Sequence, residues 1–328
     1  MNISIVHGQV SDLFDTTVIK PRIRVIIDND FGGDPDGLFH MVHQLLSPST
    51  EVRGIIGSHL NAKDGFDRSG HQAENAAKKA IELLKLMKLD GKVPVFAGSN
   101  YAMINDSTPV KSDAVSFIIN EALRTDTKLP LYVLCGAGLT EIASAILTKP
   151  EIANKITLIW IGGPEYLDLA NPPPNYSAVE YNLNIDINAA KAIFNRSSIN
   201  LWQVPRNAYR QVMLPYSEIL TKVKPKGAIG EYLANNIIRV MKLLNKYNMN
   251  LGEVYIIGDS PLVLLTALQS SFEPDPSSSK YVIKPAPRIN DAGVYEFNEK
   301  GRNIRVYYDL DVNLLLDDFF TKLEIMMK

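Results

Sequence analysis

The chain has 328 residues, of which 46% are hydrophobic and 21% are charged, and its formal net charge is −2 at pH 7. This is the composition of a folded globular protein with a large buried core, and it argues against long disordered stretches. Positive and negative side chains are mixed along the chain. That mixture argues against a broad surface for nucleic acid or anionic membranes, and it leaves room for a small site that takes a neutral ligand.

The single cysteine, Cys135, excludes a disulfide bond within the chain and favours a reducing compartment. Residues 1–21 include Asp12 and Asp15 and lack the apolar run of a signal peptide. No segment has the ~20 apolar residues that cross a bilayer. We therefore expect a cytoplasmic protein without a membrane or nucleic-acid partner. Because no linker divides the sequence, we expect one domain over residues 1–328, with residues 1–21 as an N-terminal extension.

The first part of the chain alternates between short β-branched runs and longer segments with helical periodicity. Predicted strands cover residues 24–28, 52–57, 93–96, 129–134, 156–161 and 199–204. Predicted helices between them cover residues 37–46, 72–87, 138–147 and 189–194. This alternation of apolar strands and helices predicts an α/β fold with an open, mostly parallel central sheet, helices on both faces and a Rossmann-like core.

The second part of the chain is more helical. Predicted helices cover residues 228–244, 261–268 and 312–326, the last predicted strand covers residues 304–308, and residues 172–174 and 274–279 are predicted loops. In open parallel sheets, ligands bind beyond the carboxyl ends of the strands. Polar side chains that follow the predicted strands are therefore the candidates for a functional site.

An acidic loop follows the first predicted strand, within the segment IIDNDFGGDPDGLFHM. Four carboxylates fall within nine residues there, and they belong to Asp28, Asp30, Asp34 and Asp36. Carboxylates crowded at one strand end repel one another, and a hard divalent cation bound through oxygens would offset that repulsion. The two glycines between the acidic pairs allow the tight turn that brings separate carboxylates together. A capped turn whose acids are merely solvated is the alternative interpretation.

The segment DNDFGGDPDGL resembles DxDPGxDDA, the strand-end signature of the inosine–uridine nucleoside hydrolase family. Asp28 and Asp30 match the first two acids of that signature, and Phe31 stands where the family has Pro. If the two are aligned without a gap, Asp34 matches the penultimate acid. If one extra loop residue is allowed, Asp36 matches the last acid. The division of roles between Asp34 and Asp36 is therefore open.

Further segments resemble the family in the same order along the chain. These are GIIGSHLN (residues 54–61), CGAGLT (135–140), IWIGG (159–163), EYN (180–182) and DSP (259–261). The resemblance runs from about residue 22 to the C-terminus. It implies the nucleoside hydrolase fold, a small-molecule substrate that is a nucleoside or related glycoside, and assembly as a homodimer or homotetramer.

The resemblance also implies a calcium site. Its ligands are Asp30, Asp36, Asp259, the backbone carbonyl of Gly136 and, as a further candidate, Asp34. Asp30 is in addition the predicted general base that activates water. Without the resemblance, Asp259 is equally well interpreted as a helix N-cap, and Gly136 as part of a tight turn.

Predicted contacts to the substrate come from Asp34, Asn61, Glu180 and Asn182. Asn61 matches the family Asn that faces the ribose, although an Asn in this place also stabilises a turn. Glu180 and Asn182 suit hydrogen bonds to sugar hydroxyls, with solvated loop residues as the alternative. His59 is a further candidate as a donor to the leaving group, with a structural histidine as the alternative.

The function implied by the resemblance is calcium-dependent hydrolysis of the N-glycosidic bond of ribonucleosides, which gives ribose and free base in purine or pyrimidine salvage. Many family members have His directly before the late Asp, whereas this chain has Gly258. Activation of the leaving base then falls to His59, to Arg210 or to an aromatic side chain that stacks on the base. Otherwise the substrate is another glycoside. A catalytically inactive, calcium-dependent sugar-binding protein is the alternative from a different class.

Overall fold

The computed structural model describes residues 14–15, 17–270, 272 and 278–327. Most of the predicted N-terminal extension and most of the predicted loop at 274–279 lie outside these residues. The strands are β1 (Ile23–Asn29), β2 (Thr50–Gly57), β3 (Val95–Ala97), β4 (Leu131–Cys135), β5 (Ile156–Ile161), β6 (Asn200–Val204), β7 (Met213–Pro215), β8 (Val254–Ile256), β9 (Lys280–Pro285), β10 (Arg288–Ile289), β11 (Tyr295–Glu296) and β12 (Asn303–Asp309).

The helices vary in length from single turns to five turns. They are α1 (Asp36–Leu45), α2 (Gln72–Leu86), α3 (Asp113–Ala122), α4 (Thr140–Thr148), α5 (Tyr181–Ile185), α6 (Ile187–Lys191), α7 (Arg206–Tyr209), α8 (Tyr216–Glu218), α9 (Gly227–Lys246), α10 (Pro261–Leu264) and α11 (Val312–Ile325). Pro150–Lys155 forms a 3₁₀ helix, and Ala192–Arg196 and Ile219–Val223 form π-helical turns. Within the described ranges, no helix combines the length and the apolar character needed to cross a bilayer.

The central sheet of the described chain has eight strands in the order β3-β2-β1-β4-β5-β6-β12-β9. Every neighbouring pair is parallel except β12 and β9, which are antiparallel. The chain passes from β1 outward to β2 and β3 and then returns to β4 on the other side of β1. This reversal opens a crevice beyond the carboxyl ends of β1 and β4, where α/β sheets bind their ligands.

Two apolar layers cover the two faces of the sheet because successive side chains of a strand point in opposite directions. In β1, Val25 and Ile27 pack into one layer, which includes α1, α2, α9, α10 and α11. Ile26 packs into the other layer, with α3, α4 and α6. All seven residues of β1 are buried, as expected for a central strand of a parallel sheet.

The predicted fold class is confirmed, and the strands and helices nearest the acidic loop lie within a few residues of their predicted positions. Two predicted helices are shorter than expected. The segment 189–194 is divided because α6 ends at Lys191 and a π-helical turn follows. In the segment 261–268, the helix ends at Leu264. Just beyond it, the Thr266 hydroxyl donates to the carbonyl oxygen of Leu262 at 2.6 Å, and side-chain bonds of this kind compete with regular helical hydrogen bonds.

The sequence analysis did not predict α3, β9 or the two small sheets formed by β7 with β8 and by β10 with β11. The strands of the small sheets are two or three residues long, which is too short to show a period of two in apolar residues. By contrast, α3 has a clear N-cap, since the Ser112 side chain accepts a hydrogen bond from the Val115 amide.

Close packing of β2 against α2 depends on Gly57. A Cβ atom on Gly57 would lie 2.3 Å from the backbone nitrogen of Ala77 and 2.8 Å from the carbonyl carbon of Ala76. We predict that Gly57→Ala lowers the free energy of unfolding by about 1–3 kcal/mol, as overpacked cores do. Urea unfolding measures the change. Gly65→Ala is the matched control, since a Cβ there meets no atom within 4 Å. Equal losses in the two variants would contradict the prediction.

Candidate active site

A cleft of about 280 Å³ opens at the carboxyl edge of the sheet. Six acidic residues line it, and they are Asp30, Asp34, Asp36, Asp64, Glu180 and Asp259. Asp30 directly follows β1, Asp36 begins α1, and Asp259 lies between β8 and α10. The fold therefore brings together side chains from distant parts of the sequence at the end of its central strand.

The floor of the cleft is held by contacts between β1, β4 and the segment after β8. Asn29 donates from Nδ2 to Oδ2 of Asp259 at 2.8 Å, and the Gly136 amide donates to the Asp28 carbonyl at 3.0 Å. A Cβ atom on Gly136 would lie 2.4 Å from the Asn29 Nδ2 and 2.6 Å from the Asp259 Cγ. Only a glycine allows this approach, so Gly136 is required here by packing.

Burial sets the electrostatics of the floor. Loss of solvent, together with repulsion from neighbouring carboxylates, raises the pKa values of Asp30 and Asp36 well above their usual range. Burial also raises the pKa of Asp259 to about 7. Within the described residues, none of these three carboxylates forms an ion pair with Lys, Arg or His. These acids therefore bind protons more readily than free carboxylates do, and no cation of the described chain stabilises their ionised form.

Asp34 differs from Asp36 in its hydrogen bonds. Oδ1 of Asp34 accepts the Tyr255 hydroxyl at 2.9 Å and the Asp36 amide at 3.3 Å, and Asp34 is exposed whereas Asp36 is half-buried. Among the described residues, Oδ1 of Asp36 accepts a hydrogen bond only from the amide of Gly37, at 2.9 Å. Both side chains line the cleft, but the Asp36 carboxylate has more oxygen lone pairs available for a ligand.

Beneath the floor lies a second pair of buried acids, Asp28 and Glu141, joined by Ser58. The Ser58 hydroxyl is within hydrogen-bonding distance of both carboxylates, and Glu141 also accepts the Ser99 amide at 2.7 Å. Burial raises the pKa of Asp28 to about 7 and that of Glu141 to about 8, the latter with a contribution from the charge of Asp28. Sequence reasoning missed Glu141, because one acid in an apolar helix gives no pattern.

Glu180 and Asn182 lie on the wall of the cleft at the start of α5. The Glu180 carboxylate accepts the amides of Gly163 at 2.8 Å and Leu183 at 3.1 Å, and the Tyr209 hydroxyl at 2.9 Å. Glu180 is thus both a helix cap and a cleft residue. Asn182 donates from Nδ2 to the carbonyl of Ile161 at 2.8 Å, which fixes its amide at the end of β5.

His59 and Asn61 follow β2 at the same edge of the sheet, but neither is among the described residues that line the cleft. His59 is buried, and its ring nitrogens lie 2.9 Å from the Thr140 hydroxyl and 2.9 Å from the Leu60 carbonyl. Asn61 donates to the carbonyl of Asn184 at 2.9 Å and accepts the amide of Lys63 at 3.0 Å. The polar groups of both side chains are therefore engaged by other protein groups, those of His59 in the interior and those of Asn61 near the surface.

Aromatic and basic side chains form the rest of the lining, including Phe66, Tyr176, Tyr181, Tyr209 and Arg210. The Arg210 guanidinium carbon lies 4.8 Å from the centroid of the Tyr176 ring. The Tyr181 hydroxyl donates to the Asp64 carboxylate at 2.5 Å. Arg210 was predicted from the sequence, whereas Asp64, Phe66, Tyr176 and Tyr181 were not, since surface loops carry such side chains throughout the chain.

Gly258, the residue before Asp259, is closely covered. A Cβ atom on Gly258 would lie 3.1 Å from Cδ2 of Tyr209 and 3.3 Å from Oδ2 of Asp36. The Tyr209 ring therefore occupies space into which a side chain at position 258 would project. A larger residue here would require Tyr209 to move.

The donor set at the floor fits a hard cation. Carboxylate and carbonyl oxygens are the ligands that such ions prefer, and Asp30, Asp36, Asp259 and Gly136 supply them. Within the described ranges, no group of three His, Cys, Asp or Glu side chains forms a preassembled metal site. Repulsion among unpaired carboxylates favours their separation, so convergence on one ion requires side-chain movement.

Comparison with known proteins supports this description. The family model for inosine-uridine preferring nucleoside hydrolases matches residues 25–316. A purine-preferring ribonucleoside hydrolase from Gardnerella vaginalis is similar in structure, with 21% identity, a TM-score of 0.70, and 93% of this chain and 99% of that chain covered. The inosine-uridine preferring nucleoside hydrolase from Bacillus anthracis shows 17% identity, a TM-score of 0.64, and coverages of 92% and 99%.

A plant nucleoside hydrolase is also similar, at 18% identity and a TM-score of 0.66, with 92% of this chain and 99% of that chain covered. No curated protein matches the sequence significantly. The match to this family model defines the class as that of the glycosyl hydrolases that act on nucleosides. The chain belongs to the inosine-uridine preferring nucleoside hydrolase family, as its sequence resemblance predicted, and this family consists of metal-dependent hydrolases.

The raised pKa values of the buried acids predict a pH-dependent stability. Between pH 6.5 and 8 the folded chain binds more protons than the unfolded chain, so the free energy of unfolding falls as the pH rises. His40 and His43 oppose this trend near pH 6.5, because burial lowers their pKa values to about 3 and 4 and only the unfolded chain protonates them. The buried acids outnumber these two histidines, and the opposition fades toward pH 8, so the fall in stability remains the expected result. We expect a lower melting temperature at pH 8 than at pH 6.5 in chelator-treated protein.

A change of 1 kcal/mol in the free energy of unfolding shifts the melting temperature by about 2–4 °C in a domain of 150–250 residues, and by less in a larger one. Glu141→Gln removes one of the buried acids without touching the cleft lining, so the difference between the two melting temperatures should shrink. A melting temperature that stays constant or rises toward pH 8 would show that the acids are not held in their neutral form.

Proposed function

We propose that this enzyme hydrolyses the N-glycosidic bond of ribonucleosides in a calcium-dependent reaction that gives ribose and free base. The observation that carries this proposal is the meeting of Asp30, Asp36 and Asp259 on one cleft floor without a counter-ion from the chain. Such a floor suits a divalent cation and a sugar with neighbouring hydroxyls. The similar structures named above are nucleoside hydrolases, which is consistent with this substrate class.

Asp30, Asp36, Asp259 and the Gly136 carbonyl would hold the Ca²⁺ ion. When bound, Ca²⁺ would offset the repulsion among the carboxylates and lower the pKa of a coordinated water. Asp36 is preferred over Asp34 as a ligand because its carboxylate has fewer hydrogen bonds to the protein. Ca²⁺ accommodates six to eight oxygen ligands in flexible geometry, so it tolerates a site whose ligands must move to bind it.

Asp30 is the proposed general base. It directly follows the buried strand β1, which fixes its backbone, and burial raises the affinity of its carboxylate for a proton. A base with a pKa nearer the working pH transfers protons more effectively. Asp30 would take a proton from the attacking water while the C–N bond of the nucleoside breaks. The adjacent carboxylates would stabilise the positive charge that develops on the sugar.

Asp34, Glu180 and Asn182 are the proposed contacts to the sugar hydroxyls. All three line the cleft, and their positions are fixed by hydrogen bonds to Tyr255, to the amide of Gly163 and to the carbonyl of Ile161. His59 and Asn61 are left out of the proposed site, because their polar groups are engaged elsewhere. Aromatic residues of the lining would cover the base, as rings commonly do for flat ligands.

We further propose one domain, a cytoplasmic location and a role in purine or pyrimidine salvage, with assembly as a homodimer or homotetramer. The continuous sheet from β3 to β9 supports a single domain. The buried Cys135 and the small net charge are consistent with a reducing, aqueous compartment. Closed symmetry is common among enzymes of this kind. Size measurement in solution would test the oligomeric state.

Another glycoside is the second candidate substrate. It is favoured by one observation, the packing of Tyr209 over Gly258, which leaves no side chain before Asp259 to protonate a leaving base. A calcium-dependent sugar-binding protein without catalysis is the remaining alternative. Turnover of ribonucleosides compared with aryl glycosides separates the first two, and metal affinity without any turnover would indicate the third.

Replacing the general base tests the proposed reaction. With Ca²⁺ present, the wild-type enzyme should release reducing sugar from at least one of a panel of ribonucleosides. Asp30→Asn should lower kcat by about 10²–10⁴-fold, since general bases contribute that much. Asp90→Asn is the control, because Asp90 is exposed and outside the cleft lining. Equal activity in Asp30→Asn and wild type would disprove the assigned role.

Metal binding is tested without reference to turnover. A ligand that binds only the folded state adds about 2.7 kcal/mol to stability at a hundredfold excess over its Kd. We expect Ca²⁺ to raise the melting temperature of chelator-treated enzyme, and Mg²⁺ to do so less because it demands stricter geometry. Asp36→Asn should reduce the calcium-induced rise, and Asp90→Asn should leave it unchanged. A rise that is equal in both variants would place the ion elsewhere.

A further inference from the structure

Cleavage of a nucleoside leaves the bonding electron pair on a nitrogen of the base, so the base needs a proton or a hydrogen-bond donor as it departs. Three tyrosine hydroxyls in or beside the cleft already donate to carboxylates. Those of Tyr209, Tyr255 and Tyr181 donate to Glu180, Asp34 and Asp64 at 2.9, 2.9 and 2.5 Å. Each hydroxyl is held by a carboxylate, and burial together with the charge of that carboxylate raises its pKa and makes it a poorer acid.

Arg210 is different. Of the described residues that line the cleft, it is the only basic one, and it forms no ion pair with any described carboxylate. Its buried Nε has no hydrogen-bond partner among them either. The neighbouring Arg206 is already neutralised, because its guanidinium makes two hydrogen bonds to Glu165 at 2.7 and 2.6 Å. Arg210 therefore provides N–H donors that no described residue accepts, in a cleft whose other charged residues are acidic.

Tyr176 gives this guanidinium a defined position. The guanidinium carbons of Arg210 and Arg206 lie 4.8 and 5.1 Å from the centroid of its ring. Contacts of this kind stabilise a cation at the face of a ring while leaving the N–H groups at the edge of the guanidinium free to donate. Arg206 is in turn held by its ion pair with Glu165. The Tyr176 ring therefore lies beside both the fixed guanidinium of Arg206 and the guanidinium of Arg210, which lines the cleft.

We propose that Arg210 activates the leaving base, by donating hydrogen bonds to it and stabilising the negative charge that it acquires. This deepens the proposed function and rests on it. As the C–N bond breaks, its electron pair passes to the base nitrogen, and the water oxygen forms a bond to the sugar carbon. Asp30 takes the proton from that water. The base leaves as an anion paired with Arg210 and then takes a proton from solvent.

An arginine suits this role in the absence of a titrating acid. The guanidinium stays protonated throughout the pH range of proteins, so it stabilises charge without transferring its proton. Its planar fork also favours bases that present two neighbouring acceptor atoms, as 6-oxopurines do, over bases that present an amino donor at that edge. Loss of Arg210 should accordingly weaken any preference for inosine over adenosine.

The decisive comparison uses two substrates in the calcium-loaded enzyme. Inosine has a leaving base that needs stabilisation, whereas 4-nitrophenyl riboside has a leaving group that is stable as a free anion. In Arg210→Gln we expect kcat for inosine to fall by about 10²–10³-fold, the usual cost of one such donor, while kcat for the nitrophenyl riboside changes little. Lys246→Gln, which removes an exposed charge at the end of α9, should alter neither rate.

Two further variants test the same role if Arg210→Gln folds poorly. Arg210→Lys retains the charge without the planar fork and should recover part of the inosine rate. Tyr176→Leu removes the ring and should lower the inosine rate selectively. Equal losses on both substrates, or no loss on either, would overturn the role of Arg210 and leave the proposed function intact. Failure of the wild type to cleave any riboside would overturn both.

Discussion

Buried negative charge without a compensating positive charge is the constraint on which the rest of this molecule depends. Asp30, Asp36 and Asp259 meet at the carboxyl edge of the sheet, where the first and last are buried, Asp36 is half-buried and no cation of the described chain pairs with them. Ionised groups in such surroundings cost several kcal/mol each. A large core on both faces of the sheet supplies the stability that holds this unfavourable arrangement in place, and pKa values that rise toward neutrality reduce its cost.

Buried positive charge, by contrast, is neutralised by acids of the chain itself. Among the described residues, the three most buried arginines each pair with an acid, as Arg24 does with Glu121 at 2.8 Å and Arg206 does with Glu165 at 2.6 Å. Cations are thus neutralised within the chain, while anions are left together where a ligand enters. This asymmetry gives the floor of the cleft an affinity for metal ions and hydroxyl groups, and it confines basic character to Arg210 at the aromatic wall.

Local sequence was sufficient to predict the strand, loop and helix that carry residues 28–36, because that unit depends on neighbours in the chain. Asp259 was found through the family resemblance alone, since no local pattern connects it with the acidic loop. His59 and Asn61 were placed at the correct edge of the sheet. Their side chains nevertheless form hydrogen bonds to other protein groups and not to the cleft, and a sequence does not state which way a loop side chain points. Glu141 shows the same limit for a helix.

The hydrogen bond from Asn29 to Asp259 joins residues 230 positions apart. Parallel sheets built from such distant contacts form late, because the chain must close large loops before it gains the contacts. At a synthesis rate of 5–20 residues per second, Asn29 leaves the ribosome roughly 10–50 s before its partner does. During that interval the acidic loop of the nascent chain is exposed, because Asp259 is not yet present to complete the floor of the cleft. Maturation of the enzyme is thereby tied to completion of its last third.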